Sequence, residues 1–359
     1  MRKIFIIPMF FLFFFAGFGQ QMIDNPEKPP GKNAGRVIQL KEVMRIVDGE
    51  GKFYFREPWD IKVARDGSFY VQEPDKLYQF DGKGKFIRNL CRRGEGPGEF
   101  NQGLTDFFLG ENEIILASSN VIKIVRLSGN GIWREDMRPK GRTFFGLLGF
   151  YNGSYYLVTR EPGKYERITG FYEDDLRLIM VDSQGEVTST LSIFPFTISI
   201  GSGERGGFTY ISRLITTSEN PRYIYLYCTP EYMVRLVDLE KKEVIRSFRR
   251  EYERVKLGMK RKTPMLMPKF YNDICRLLIH KDNLWVVTST FDKGKGILVD
   301  VFNKDGKYLD AFYLPLTKIL TEERITYYTP MAVSGDFLFT IEVGDDGQIS
   351  AAKYQIIDS

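Results

Sequence analysis

Residues 58–90, PWDIKVARDGSFYVQEPDKLYQFDGKGKFIRNL, contain four short runs in which apolar and polar residues alternate. The first two runs, DIKVA and SFYVQ, meet at Asp66-Gly67. That dipeptide suits a two-residue hairpin turn, because its glycine takes the positive φ that such a turn requires. The last two, KLYQF and KFIRNL, are joined by Asp81-Gly82-Lys83-Gly84. Period-two alternation predicts strands with two differently solvated faces. A four-stranded antiparallel sheet this short cannot bury its faces alone, so it has to stack on other copies of itself.

Further copies occur along the chain. FLGENEIILASS with VIKIVRLSGNGIWRE, GLLGFYNGSYYLVTR with LRLIMVDSQGEVTSTLSI, SRLITTSENPRYIYLYCT with MVRLVDLEKKEVIRSF, and CRLLIHKDNLWVVTST with GILVDVFNKDGKYLDAFYL make units two to five. The sixth, MAVSGDFLFTIEV with ISAAKYQIID, ends after three strands. Residues 36–46, RVIQLKEVMRI, supply a suitable fourth strand and would close the ring without leaving an open edge. The predicted fold is all-β: a six-bladed β-propeller over 36–359, with four-stranded antiparallel blades and an N-terminal strand completing the last one. A pair of β-sandwiches would need an internal linker. The one clear Pro/Gly-rich stretch, NPEKPPGKNAG at 25–35, precedes the first blade and reads as part of a flexible leader over 20–35.

The first 19 residues differ in kind. Arg2 and Lys3 precede an apolar run from Ile4 to Phe18, and Gly17 and Gly19 stand at the −3 and −1 positions of a cut before Gln20. This pattern predicts a secretory signal peptide and a periplasmic or extracellular protein. The run of about 15 apolar residues is shorter than the ~20 that span a bilayer. No Cys lies near the cut, so no lipid anchor is expected there. Cleavage removes two basic residues and lowers the formal charge from +5 to +3, too small a balance to argue for nucleic acid. The three cysteines, Cys91, Cys228 and Cys275, form no CxxC pair, and their odd number leaves at least one unpaired within the chain. They read as small strand residues; a Cys228–Cys275 bridge between neighbouring repeats stays open.

The first unit resembles the NHL-type six-bladed propeller repeat at Pro58, Asp60-Ile61, Val63, Asp66-Gly67, Tyr70-Val71, Phe80-Asp81 and Gly84-Lys85-Phe86. The adjoining RRGEGPGEF (92–100) is similar to the Gly-Pro-Gly-Glu-Phe loop of exported bacterial six-bladed propellers. The resemblance implies the fold. It does not choose among enzymes, ligand binders and docking platforms, all of which use it.

Strand alternation sorts the loops. The turn between second and third strands shares a face with the link to the next blade, and the other two hairpins lie opposite. The opposite face receives short turns: Asp66-Gly67, Asn152-Gly153, Ser183-Gln184-Gly185, Lys281-Asp282-Asn283 and Asp305-Gly306. The working face receives 160–175, 288–296 and the links RRGEGPGEF, SIGSGERGGF and RREYERVKLGMKRK. Long loops on a rigid scaffold are the expected seat of function.

Four features of the sequence carry candidate chemistry. The glycine-rich loops 92–100 and 201–208 can offer backbone N–H groups to an anion, helped by Arg92, Arg93 and Arg205, with Glu95 beside them. Neither has the Lys-Ser/Thr of a P-loop, and a tight crossing between blades explains the glycines equally. Asp60, Asp106 and Asp273 open inner strands at the channel mouth. They are candidate Ca²⁺ ligands, or they bond to neighbouring backbone N–H groups. The basic stretch 249–262 fits an acidic partner, an anionic polysaccharide or a membrane surface, or is simply a solvated loop. Trp59, Trp133 and Trp285 lie in or beside strands and read as core, with Trp59 a possible stacking surface.

His280 is the sole histidine and falls on the face opposite the long loops, which argues against a Ser-His-Asp triad there and against His-built zinc sites. The leading expectation is a non-catalytic, monomeric scaffold that binds a peptide, glycan or protein without a cofactor. The alternative is a Ca²⁺-dependent hydrolase resembling six-bladed lactonases, with Asp60, Asp106 and Asp273 as ligands.

Overall fold

A computed structural model describes residues 21–357 apart from 48–50, 97–98, 102, 111–112, 119–120, 127–132, 138, 141–143, 161–169, 201–213, 218–219, 228–230, 257–269 and 317–329. Three strands come first: β1 (Gln21–Asn25), β2 (Arg36–Val37) and β3 (Gln39–Ile46). Blade one is β4 (Asp60–Val63), β5 (Phe69–Glu73), β6 (Lys76–Phe80) and β7 (Phe86–Asn89). Blade two is β8 (Asp106–Leu109), β9 (Glu113–Ser118), β10 (Val121–Arg126) and β11 (Trp133–Met137). Blade three is β12 (Phe144–Tyr151), β13 (Ser154–Arg160), β14 (Gly170–Val181) and β15 (Val187–Ile200). Blade four is β16 (Leu214–Thr217), β17 (Tyr223–Tyr227), β18 (Val234–Asp238) and β19 (Glu243–Arg250). Blade five is β20 (Ile274–His280), β21 (Asn283–Asp292), β22 (Gly296–Phe302) and β23 (Tyr308–Leu314). Blade six is β24 (Met331–Ser334), β25 (Phe337–Val343) and β26 (Ile349–Ile357), closed by β3. Among the described residues there is no helix.

The fold is the six-bladed β-propeller expected, but the N-terminal segment does more than close it. β3 pairs antiparallel with β26, from Ala351↔Ile46 to Ile357↔Gln39. Residues 36–37, expected to belong to that closing strand, pair instead with β23 of blade five, in parallel. Ile38 explains the step: it is buried with residues of both blade five and blade six, so the chain crosses the seam there. The expected flexible leader over 20–35 contains an ordered strand, β1, parallel to β19 of blade four. The leader before Gln21 lies outside the described residues.

The core is a series of inter-blade layers, as the alternation requires. Each layer draws on the facing sides of two sheets, for example Phe69, Phe80 and Val71 of blade one against Phe339 and Ile341 of blade six. Trp285 is packed in such a layer, its ring 4.8 Å from that of Phe312. The hairpin turns obey the sequence chemistry: Gly67, Asn152, Gly153, Gly185 and Gly306 all have positive φ. So do Lys281 and Asp282, which adopt the same turn without a glycine. Cys91 and Cys275 are buried free thiols; Cys228 lies outside the described residues. Burial pushes both thiols up, Cys275 to about 12.

Candidate functional site

The link after blade one meets the turn between β5 and β6. Leu104 N–H donates to the Pro74 carbonyl (2.7 Å), and Gln72 Nε2 donates to the Leu104 carbonyl (3.0 Å). Inter-blade links and second turns therefore share a face, and the inner strands begin on it, with Asp60 at the start of β4 and Asp106 at the start of β8.

The structure joins these two aspartates through a lysine that the strand pattern did not single out. Lys62 Nζ lies 3.0 Å from Asp106 Oδ1 and 3.6 Å from Asp60 Oδ2. It also donates to the Phe107 carbonyl and sits 4.4 Å from the centre of the Phe107 ring. Arg276 of β20 adds a second cation, donating through Nη2 to Asp60 Oδ1 and through Nε to the Met331 carbonyl (3.1 Å). Each aspartate also accepts from the next backbone N–H: Ile61 to Asp60 at 2.9 Å and Phe107 to Asp106 at 2.8 Å. The result is an alternating row, Arg276, Asp60, Lys62, Asp106, contributed by blades five, one and two. Each of these side chains keeps part of its surface in solvent.

These residues do not fit a divalent cation. The position between the two carboxylates is held by an ammonium, and Asp273 does not join them. Asp273 is buried beside blade four, where its Oδ1 accepts from Arg254 Nε at 2.9 Å. Burial pushes its carboxyl up to about 6, with Arg254 opposing the shift. Among the described residues no three His, Cys, Asp or Glu side chains gather as a metal site.

The glycine-rich loop after blade one supplies its own anion. Glu99 Oε2 accepts from Gly96 N–H (2.9 Å), and Glu99 Oε1 accepts from Arg92 Nε (2.6 Å). A Cβ on Gly94 would meet Glu99 Oε2 at 2.1 Å, so the carboxylate fills the space the glycine leaves. The Gly96 N–H and the Arg92 guanidinium hold the Glu99 carboxyl below its usual range. Buried Lys123 of blade two donates to the Gly96 carbonyl (2.9 Å) and ties the loop to the neighbouring blade. The outer part of Arg92 stays exposed, as do Arg93 and Glu95. Arg205 and the loop 201–208 lie outside the described residues.

Two expected loops are shorter than the sequence suggested. Residues 170–175 extend β14, and 288–296 is mostly strand, turning only between Asp292 and Gly296. Strand pairing there satisfies backbone groups that a loop would leave to water. Of the basic stretch 249–262, residues 249–256 are described; Lys256 bridges to Phe270 and Tyr271 N–H donates to the Val255 carbonyl (2.9 Å).

A second charged cluster, between blades four and five, was not anticipated. Asp300 is fully buried and accepts from Tyr232 (2.7 Å), Tyr308 (2.5 Å) and Arg250 Nε (2.8 Å). The Arg250 guanidinium lies 4.9 Å from the ring centres of both Tyr232 and Tyr252. Its parts are scattered through 232–308, and only an Asp inside the apolar run ILVDVF hints at it.

A family profile described as a 6-bladed beta-propeller, DUF5128, matches residues 51–132. The fold overlays on the crystal structure of a Bacteroides fragilis protein described as exported, with a TM-score of 0.58 at 11% identity, covering 94% of this chain and 100% of that one. It also overlays on the β-propeller domain of Myceliophteria thermophila Cps50 (Swd1), with a TM-score of 0.43 at 9% identity, covering 89% and 100%. Among curated proteins no sequence matches this chain. Among the described residues no helix is long and apolar enough to cross a membrane.

Proposed function

We propose that this protein is an exported, non-catalytic binding scaffold that takes a peptide, glycan or protein partner on the face carrying the channel mouth. The observation that supports the reading is the row Arg276–Asp60–Lys62–Asp106. Its carboxylates are paired with Lys62 and Arg276, so they present a fixed pattern of charge and hydrogen-bonding groups in which the place between them is already taken. Water-accessible edges of those groups, with exposed Arg92, Arg93 and Glu95 on the neighbouring loop, offer polar recognition on a rigid base. A cation-dependent hydrolysis has no place in this reading, since a divalent ion between Asp60 and Asp106 would have to displace Lys62. Export rests on the apolar leader together with the likeness in fold to the Bacteroides fragilis protein.

The test probes arrays of glycans and peptides with labelled residues 20–359, then repeats the positive spots with Arg92→Ala/Arg93→Ala and with Asp60→Asn. The expected result is a weakening of about tenfold or more, the scale of losing one well-placed charged contact. Unchanged binding by both variants would place the site elsewhere.

A further inference from the structure

β1 is held as a bound peptide is held. It adds a fifth strand to blade four in parallel, in register from Gln21↔Arg246 to Asn25↔Arg250, so main-chain pairing fixes its path. Side chains facing the blade then fix its register. Ile23 packs against the apolar layer between blades four and five. The Asn25 amide is recognised at both ends: Nδ2 donates to the Arg249 carbonyl (3.1 Å) of blade four and the Gly306 carbonyl (3.0 Å) of blade five. Its Oδ1 accepts from Tyr308 N–H (2.9 Å). The two blades thus build a niche for a carboxamide at the end of an extended strand. A side chain at 306 would narrow it, since a Cβ there would meet the Phe248 ring at 2.8 Å. Met22 and Asp24 face outward, Asp24 pairing with Arg249 at 2.5 Å on the exposed surface. Main-chain addition to a sheet edge, with pockets for alternate side chains, is how sheet-augmenting domains read peptides.

The strand is also separable from the closure of the ring. β3 alone completes blade six, and exposed residues Pro26, Glu27 and Lys28 lead from β1 toward β2. We propose that the rim between blades four and five is a peptide-binding site for an extended segment carrying an apolar-x-Asn pattern, filled in cis by the chain's own Ile23 and Asn25. A partner polypeptide enters it in parallel by displacing β1, and the tethered strand competes through its high local concentration. This site is on the outer rim, away from the channel mouth, so either reading can fail without the other.

The test keeps the folded chain intact until the last step. A protease recognition sequence is inserted after Lys28, the purified protein is cut, and a fluorescent peptide of residues 20–28 is added in large excess. The cut protein takes up the peptide and the uncut protein takes up far less. An Asn25→Ala peptide binds about tenfold more weakly or worse, since three hydrogen bonds are lost at both seams. An Asp24→Ala peptide stays within about threefold, because an exposed ion pair contributes little. No uptake by the cut protein, equal uptake by cut and uncut protein, or equal binding of the Asn25→Ala peptide would each overturn the proposal.

Discussion

Arg276, in the inner strand of blade five, donates to Asp60, in the inner strand of blade one, and on the way bonds the Met331 carbonyl at the start of blade six. The ring is thus tied at its closing blade on both radii: outside by β3, inside by a guanidinium that spans the blade. Removing either partner leaves the other charge partly desolvated. Arg276→Ala and Asp60→Ala are each expected to lower stability by about 1–3 kcal/mol. A double-mutant cycle from denaturant titrations should give a coupling of ~0.5 kcal/mol or more. Strict additivity would show that the contact does not tie the ring.

Asp300 compensates a buried guanidinium. Asp300→Asn leaves Arg250 inside its tyrosine shell without a counter-charge, and a loss of about 3–5 kcal/mol is expected. Arg250→Met together with Asp300→Leu, Tyr232→Phe and Tyr308→Phe should recover much of that loss, because the ions and the hydroxyls that bond to Asp300 are then removed together. Chemical unfolding of wild type, Asp300→Asn and the combined variant decides it; a combined variant no better than Asp300→Asn contradicts the argument.

Asp273 makes stability depend on pH in a particular direction. Its carboxyl is raised from the ordinary 3.8 to about 6 by burial, so the folded protein holds the proton more tightly than the unfolded chain. The stability this contributes is full below about 4 and is lost as pH rises through about 6. Asn cannot ionise. The stability of Asp273→Asn relative to wild type should therefore rise between pH 4 and pH 7, by on the order of 2 kcal/mol. Thermal melts of both proteins across that range check it, and a difference that stays flat with pH would contradict the assignment.

The Glu99 carboxylate occupies the glycine cradle after blade one. Glu99→Ala should lower the melting midpoint, through the orphaned Gly96 N–H and the freed Arg92. Wild type should leave the phosphorus resonance of added inorganic phosphate unshifted in titrations, since the cradle is already filled. A saturable shift in wild type that Glu99→Ala leaves unchanged would mean the anion site lies elsewhere.

Cation removal should leave the protein as it was. Melting curves of residues 20–359 with and without a chelator are expected to coincide, with Lys62 and Arg276 serving as the counter-charges of Asp60. A midpoint lowered by several degrees, restored by Ca²⁺, would reinstate the hydrolase alternative, because a ligand that binds only the folded state must stabilise it.

The blades follow from local sequence. Alternation in Asp60–Phe86 and its repeats, with turn residues such as Asp66-Gly67 at set intervals, specifies local pairing, which depends on neighbours a few residues apart. It likewise indicated the missing strand of blade six and the face on which Asp60 and Asp106 begin. Tertiary structure alone decided what those aspartates meet. Lys62 shares a strand with Asp60, two residues on, so it was readable as a neighbour; Arg276, 216 positions away, was not. The parallel docking of β1 was hidden for the same reason. Five residues beside a Pro/Gly-rich stretch carry little periodic signal, and their niche is assembled from Arg249, Gly306 and Tyr308 of two different blades. Short-range periodicity is written in order along the chain; contacts between blades arise only once the sheets pack against one another.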